Sequence, residues 1–207
     1  MRRLAVSAEH PGPAAIAEAV EVLRAGGVVA FPTDTLYGLA VDPRSAEAVE
    51  RLFALKTRDR SVAVPLVASD LEQAMTAGEF GPRERRVAEA FWPGPLSVVI
   101  PARPSIARAS LGGGSTVAVR VPAHAVAREL AAAFGFCVTA TSANTAGQPP
   151  AASADDVALA LPDVDLLLDG GHLPGGAPST IVAFDNDGPV LVRAGAIAWD
   201  RVIKSQQ

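Results

Sequence analysis

The stretch Phe31-Pro32-Thr33-Asp34-Thr35-Leu36-Tyr37-Gly38-Leu39-Ala40-Val41-Asp42-Pro43 decides how the rest of the chain is read. An apolar run over residues 27–31 stops at a proline, and two hydroxyls, a carboxylate and a phenol follow before apolar residues resume. This is the pattern of a strand whose end carries polar chemistry. Pro32 has no N–H and a fixed φ, so it ends a central strand, and Gly38 opens backbone angles that other residues avoid. An ordinary turn draws on the same residue types. What the other segments bring to the same place decides between the two.

Working outward, residues 14–25 put Ile16, Ala19, Val20 and Leu23 on one helical face, with Gly26-Gly27 as the stop. On the far side, Asp42-Pro43 offers an N-cap followed by proline, and Val49, Leu52 and Phe53 give the next helix its buried stripe up to Lys56. Residues 62–68 read as a valine-rich strand, and Ser69-Asp70-Leu71-Glu72 as a capping box. A helix over 82–92 ends at Pro93-Gly94-Pro95, and a strand follows over 96–100. Residues 101–115, with Gly112-Gly113-Gly114, form the longest irregular stretch and a candidate mobile loop.

Further strands are expected over 116–121, 136–141 and 164–168, with helices over 123–134 and 153–161. The strands 180–184 and 190–193 form a hairpin around Asp185-Asn186-Asp187-Gly188. Helices and strands alternate until two strands follow each other directly. That order predicts a mixed α/β sheet covered by helices rather than a purely parallel one.

With 207 residues, 49% hydrophobic and 19% charged, the chain is expected to fold as one domain over residues 1–207 with a substantial core. A formal net charge of -4 argues against a protein that coats nucleic acid, so any polyanion site must be a local basic cleft. The single cysteine, Cys137, lies between Phe136 and Val138 and reads as a buried small hydrophobe in a reducing compartment. No secretory signal pattern is present, and no apolar run approaches the roughly 20 residues of a spanning helix. The chain is therefore expected in the cytoplasm, without a membrane partner. His10, His124 and His172 are far apart and share no metal-ligand spacing with acids or with Cys137, so no protein-bound metal site is expected.

Ligands of open α/β sheets bind outside strand ends. Polar residues gather just past the expected strands at 33–37, 56–58, Arg120, 139–144, Ser179 and Arg193. Lys56 and Arg58 end a helix, where cations meet the negative end of its dipole. Lysine nevertheless occurs only twice in the chain, at Lys56 and Lys204. Two residues apart on a regular helix, Lys56 and Arg58 would diverge, so convergence requires the helix to end between them. Strand alternation puts Val117, Val119 and Val121 on one face and Thr116, Ala118 and Arg120 on the other. Arg120 then needs a partner, either a structural carboxylate or the carboxylate of a ligand. Small residues at 139–144 let a ligand approach the backbone, and Ser142 and Asn144 add donors and acceptors; helix capping would use the same residues. No Walker loop, nucleophile elbow, zinc-protease or dinucleotide fingerprint occurs.

Taken in order, Pro-Thr-Asp-Thr-x-Tyr-Gly-Leu at 32–39, Lys-x-Arg at 56–58, Trp-Pro-Gly-Pro-Leu-Ser at 92–97, Val-Arg-Val-Pro at 119–122, Thr-Ser-Ala-Asn at 141–144, Pro-Ser-Thr-Ile-Val at 178–182 and Arg-x-Gly at 193–195 resemble the YrdC/Sua5 family across nearly the whole chain. The resemblance implies a single-domain twisted mixed parallel and antiparallel sheet with flanking helices and a concave basic pocket. It implies synthesis of L-threonylcarbamoyl-adenylate and pyrophosphate from L-threonine, bicarbonate and ATP, with Mg²⁺ on the phosphates, an early step toward N6-threonylcarbamoyladenosine in tRNA. The matching threonine positions are Thr35, Arg120, the backbone at Ala140, and Ser179; the nucleotide positions are Lys56, Arg58, Thr116, Ser142, Asn144, Pro150 and Arg193. Lys56 and Arg58 would serve the chemical step by positioning and electrostatic stabilisation. The adenylate would pass to a tRNA threonylcarbamoyltransferase machinery, and weak direct contact with tRNA or other double-stranded RNA stays open.

Asp59 stands where many members of that family carry a proline, and Ala63-Val64 where they carry Pro-Leu, with Pro65-Leu66 two residues later. The chain ends at Gln207 and so resembles the short type without an extra C-terminal domain. The rival expectation is a non-catalytic RNA-binding or regulatory protein on the same fold.

Overall fold

The computed structural model describes residues 1–57 and 59–206. In chain order the elements are β1 (Arg2–Ala5), α1 (Pro13–Arg24), β2 (Val29–Phe31), β3 (Gly38–Ala40), α2 (Ala46–Lys56), β4 (Leu66–Val67), α3 (Leu71–Ala77), α4 (Pro82–Phe91) and β5 (Leu96–Pro101). A 3₁₀ turn (Arg108–Leu111) leads to β6 (Thr116–Arg120), α5 (Ala125–Phe134), β7 (Val138–Thr139), β8 (Thr141–Ser142), α6 (Ala154–Ala160), β9 (Leu166–Asp169), β10 (Thr180–Phe184), β11 (Pro189–Arg193) and α7 (Trp199–Lys204). The mixed α/β class expected from the sequence is the one found.

The strands divide between two mixed sheets, ordered β1-β9-β2-β3-β8 and β11-β10-β5-β6-β4-β7. Both cores follow strand alternation. In β2, Val29 and Phe31 face one cluster with α1, α5 and the second sheet, while Ala30 joins α2 and α6 on the opposite side. In β9, Leu166 and Leu168 go to the first cluster and Leu167 to the second. The first sheet is thus covered on both faces.

Several expected elements are placed differently. The strand expected over 136–141 is two short strands in different sheets: β7 pairs with β4 and β8 with β3. The chain changes sheet at Ala140, whose N–H donates to the Pro65 carbonyl at 2.8 Å. Thr139 fastens this seam, because its hydroxyl donates to the Leu39 carbonyl and accepts from Val41 N–H. The strand expected over 62–68 is confined to Leu66–Val67, since Pro65 cannot donate to a ladder. The N-cap of α2 is Ser45, not Asp42, and its hydroxyl accepts from Ala48 N–H; Asp42 is occupied with Arg44. The cap of α3 is Asp70 rather than Ser69. Gly38 lies in a strand and packs against Phe31, so its use here is absence of bulk rather than unusual backbone angles. The irregular stretch 101–115 is anchored at its centre: Ser110 is fully buried, and Gly112 leaves no room for a Cβ against Ser61 and Ala63.

Candidate active site

The seam between the sheets opens into a cavity of about 720 Å³, floored by β4, β5, β6 and β10 and walled by the loop after β2, β8 and β11. Thr35, Thr116, Arg120, Ala140, Ser142, Pro150, Ser179 and Arg193 all line it. These residues come from segments up to 158 positions apart (193 − 35), and the fold brings them to one space. On β6, Thr116, Ala118 and Arg120 face the cavity while Val117, Val119 and Val121 are buried behind them, as alternation predicts.

The loop after β2 is shaped by Thr33. Its hydroxyl donates to the Leu36 carbonyl at 2.6 Å, accepts from the backbone N–H groups of Thr35 and Leu36, and touches the Thr35 hydroxyl at 3.1 Å. One buried hydroxyl therefore fixes the turn that presents Thr35. Tyr37 closes the loop from below, donating to Gly171 O and accepting from Gly170 N–H. Burial pushes its phenol up to about 12.

Among the described residues, two arginines face the cavity. Arg120 is 7% exposed, and its Nη2 lies 3.2 Å from Asp34 Oδ1. Burial pushes its pKa down, Asp34 opposes that, and the charge of Arg193 adds to it. Burial also pushes Arg193 down. Arg193 donates to the Ser179 carbonyl at 2.7 Å and to the Ser179 hydroxyl at 3.0 Å. Gly195 permits this closeness, because a Cβ there would stand 2.3 Å from the Pro178 carbonyl. Two partly desolvated cations that repel each other across one space favour an anion between them.

Lys56 sits differently. It is 3% exposed, does not line the cavity, and donates to the carbonyls of Ser142 and Asn144 and to Asn144 Oδ1. Asn144 likewise lies beneath the surface, accepting from the Ser142 hydroxyl at 2.6 Å and donating to Gln148 O. The lysine pins the turn that presents Ser142. Helix α2 ends as convergence requires, with Thr57 in the left-handed region at φ 51, an unfavourable angle for a β-branched residue. Arg58 lies outside the described residues. Past it, Asp59 Oδ1 accepts from Ser61 N–H, so the aspartate closes its own turn where a proline was expected by resemblance.

The sequence reading missed three residues here. Ser97, 3% exposed on β5, lines the cavity and contacts the Ser179 hydroxyl. Asp34 stands behind Arg120, and His124 holds a buried Nδ1 without a hydrogen-bond partner among the described residues. Burial pushes the His124 pKa down, with Asp34 opposing and Arg128 reinforcing. Alternation along residues 96–100 would have put Ser97 on the same face as Val99; Asp34 lies in the polar loop singled out from the sequence, though without a role assigned to it, and His124 had no local signal.

The fold and site define an α/β protein with an arginine-bearing cleft at the junction of two mixed sheets. The family model "Sua5_yciO_yrdC: Telomere recombination" matches residues 21–195, and the chain belongs to that family. It is 42% identical to a threonylcarbamoyl-AMP synthase of Chromohalobacter salexigens over 172 residues, covering 80% of this chain and 90% of the relative. A threonylcarbamoyl-AMP synthase of Pyrococcus abyssi is 35% identical over 184 residues, 88% of this chain but 54% of that longer protein. Among solved structures, P. abyssi Sua5 complexed with L-threonine superposes with a TM-score of 0.93 at 33% identity, covering 99% of this chain and 61% of the other. Escherichia coli YciO gives a TM-score of 0.87 at 27% identity, with 96% and 98% covered.

Proposed function

We propose that this protein is an L-threonylcarbamoyladenylate synthase, a nucleotidyltransferase that joins L-threonine, bicarbonate and ATP. The observation that carries the reading is the pairing of Arg120 and Arg193 across one cavity lined with hydroxyls, in a chain related to synthases of that name. The amine of threonine and bicarbonate give an N-carboxylate with loss of water. One carboxylate oxygen then attacks the α-phosphorus of ATP, the bond to the β-phosphate oxygen breaks, and pyrophosphate leaves with the electron pair.

Such a reaction needs no covalent nucleophile from the protein. It needs the two substrates held in line and the developing negative charge met by fixed donors. Arg120 would take the threonine carboxylate, with Thr35, Ala140 and Ser179 around the remainder of the molecule. Arg193, Thr116, Ser142 and Pro150 would border the nucleotide, and Lys56, through Ser142 and Asn144, would fix its wall, with Arg58 completing the cationic set. Among the described residues no group of three or more His, Cys, Asp or Glu side chains could hold a metal ion. Mg²⁺ would arrive on the triphosphate, where it neutralises phosphate charge. The adenylate would pass to an enzyme that modifies tRNA. No helix among the described residues is long and apolar enough to cross a membrane.

Incubation with ATP, Mg²⁺ and bicarbonate, with threonine, serine or no amino acid, tests this through pyrophosphate. Release that requires both threonine and bicarbonate is expected. No release together with tight RNA binding would replace the reading with that of a regulatory protein.

A further inference from the structure

We infer that Ser97, acting with Ser179, reads the side-chain hydroxyl of the amino-acid substrate and so sets its selectivity. This rests on the synthase reading and assigns a role to a residue outside that site as drawn above.

Geometry places Ser97 beside the group that grips the substrate. Strands β5 and β6 are antiparallel, with Val99 opposite Ala118 and Val98 opposite Val119. One step further puts Ser97 next to Arg120, both facing the cavity. Cross-strand neighbours have Cβ atoms about 5 Å apart. On the other flank, β10 runs parallel to β5 with Ile181 opposite Ser97, which brings the preceding Ser179 within 3.0 Å of the Ser97 hydroxyl. An amino acid whose carboxylate meets Arg120 carries its side-chain oxygen only two carbons away from the carboxylate carbon. That oxygen falls at the serine pair.

Hydrogen-bond counting then states what the pair offers. Arginine can only donate, so the Ser179 hydroxyl accepts from Arg193 Nη2 at 3.0 Å. Between them the two serines have two protons, and their mutual contact uses one. The other is left for a ligand oxygen, and the charge of Arg193 strengthens the Ser179 hydroxyl as a donor. Lone pairs remain on the Ser97 hydroxyl, whose only hydrogen bond among the described residues is to Ser179. The pair can therefore both give a hydrogen bond and take one, as an alcohol does. A methyl group in its place would leave buried hydroxyls unsatisfied, and this loss discriminates far more strongly than one methylene in an apolar pocket.

The test compares L-threonine with L-valine, its isostere, and with L-2-aminobutyrate, which lacks only the hydroxyl. Both kcat/KM from pyrophosphate release and Kd from calorimetry are measured for the unaltered chain, Ser97→Ala and Ser97→Thr. The unaltered chain should favour threonine at least 1,000-fold, a conservative figure for a site built to bond a hydroxyl. Ser97→Ala should lower kcat/KM for threonine roughly 30-fold while leaving valine, the KM for ATP and the melting temperature nearly unchanged. Ser97→Thr, which keeps the hydroxyl, should restore most of the preference. Equal losses for threonine and valine in Ser97→Ala, or no preference for threonine in the unaltered chain, would overturn the inference. Calorimetric preference for threonine without any pyrophosphate release would instead remove the synthase reading and leave the hydroxyl site standing.

Discussion

The Arg120 guanidinium lies 3.2 Å from the Asp34 carboxylate, yet neither oxygen of Asp34 accepts a hydrogen bond from a described residue. The pair is an ion contact without full hydrogen bonding, so Asp34 balances the charge of Arg120 without using up its donors. Arg120→Ala should weaken threonine binding on the order of 100-fold and ATP binding much less. Equal loss of both in calorimetry, with the fold intact, would refute the assignment of Arg120 to the carboxylate. Asp34→Asn should cost about 3 kcal/mol in denaturant titration, because it leaves a buried cation facing only another cation.

Lys56 is expected to matter for architecture first. Its ammonium serves acceptors on Ser142 and Asn144, and Lys56→Met would leave these carbonyls buried without a donor. The expected cost is about 2–3 kcal/mol of stability, seen as a lower melting temperature, with weakened ATP binding because Ser142 loses its support. A variant with unchanged melting and lost turnover would put the ammonium in the chemistry instead.

Gly195→Ala offers a remote test of the same site. The added methyl would stand 2.3 Å from the Pro178 carbonyl and 2.5 Å from backbone atoms of Ser179 and Thr180. Such overpacking costs typically 1–3 kcal/mol. Ser179 and Arg193 should move with the backbone, so the KM values for threonine and ATP should both rise. Intact kinetics would show that this contact gives way without disturbing the site.

His124 should leave a mark on stability at mildly acid pH. Burial favours its neutral form, which holds its pKa below the ordinary 6.5. The unfolded chain therefore binds this proton more readily than the folded one. Stability from this group is fully present above pH 6.5 and lost as pH falls through the folded value. His124→Gln should flatten the stability curve as pH falls below 6.5; an unaltered slope in chemical denaturation would show that His124 does not contribute.

Helices α1 to α6 were legible in the sequence because their signals are local: apolar spacing in α1 and α5, Ser153 at the start of α6, and Gly135 at φ 80 after α5; the six-residue α7 after the hairpin was not expected. The faces of β6 were legible for the same reason. The division into two sheets was not, since partners such as Leu39 and Thr141 are chosen over about a hundred positions. Strands of two or three residues, such as β3 and β8, carry too little pattern to count as strands alone. The site residues came from motifs in a fixed order. Ser97 was passed over inside an otherwise apolar strand, and the burial of Lys56 depends on a turn that only the closed fold creates.

The seam at Ala140 has a consequence for how the protein reaches its working state. The cleft takes binding groups from both sheets, Thr35 and Ser142 from the side of the first and Thr116, Arg120, Ser179 and Arg193 from the side of the second, so an intermediate with one sheet formed holds an incomplete set. Ligand should consequently bind only molecules in which both halves have docked, and it should raise the free energy of global unfolding as RT ln(1 + [L]/Kd) without slowing the fraying of the edge strand β1, which lies away from the cleft. Hydrogen exchange at β3, β8 and β4 would then report occupancy, while β1, at the far border of the first sheet, would stay indifferent to it.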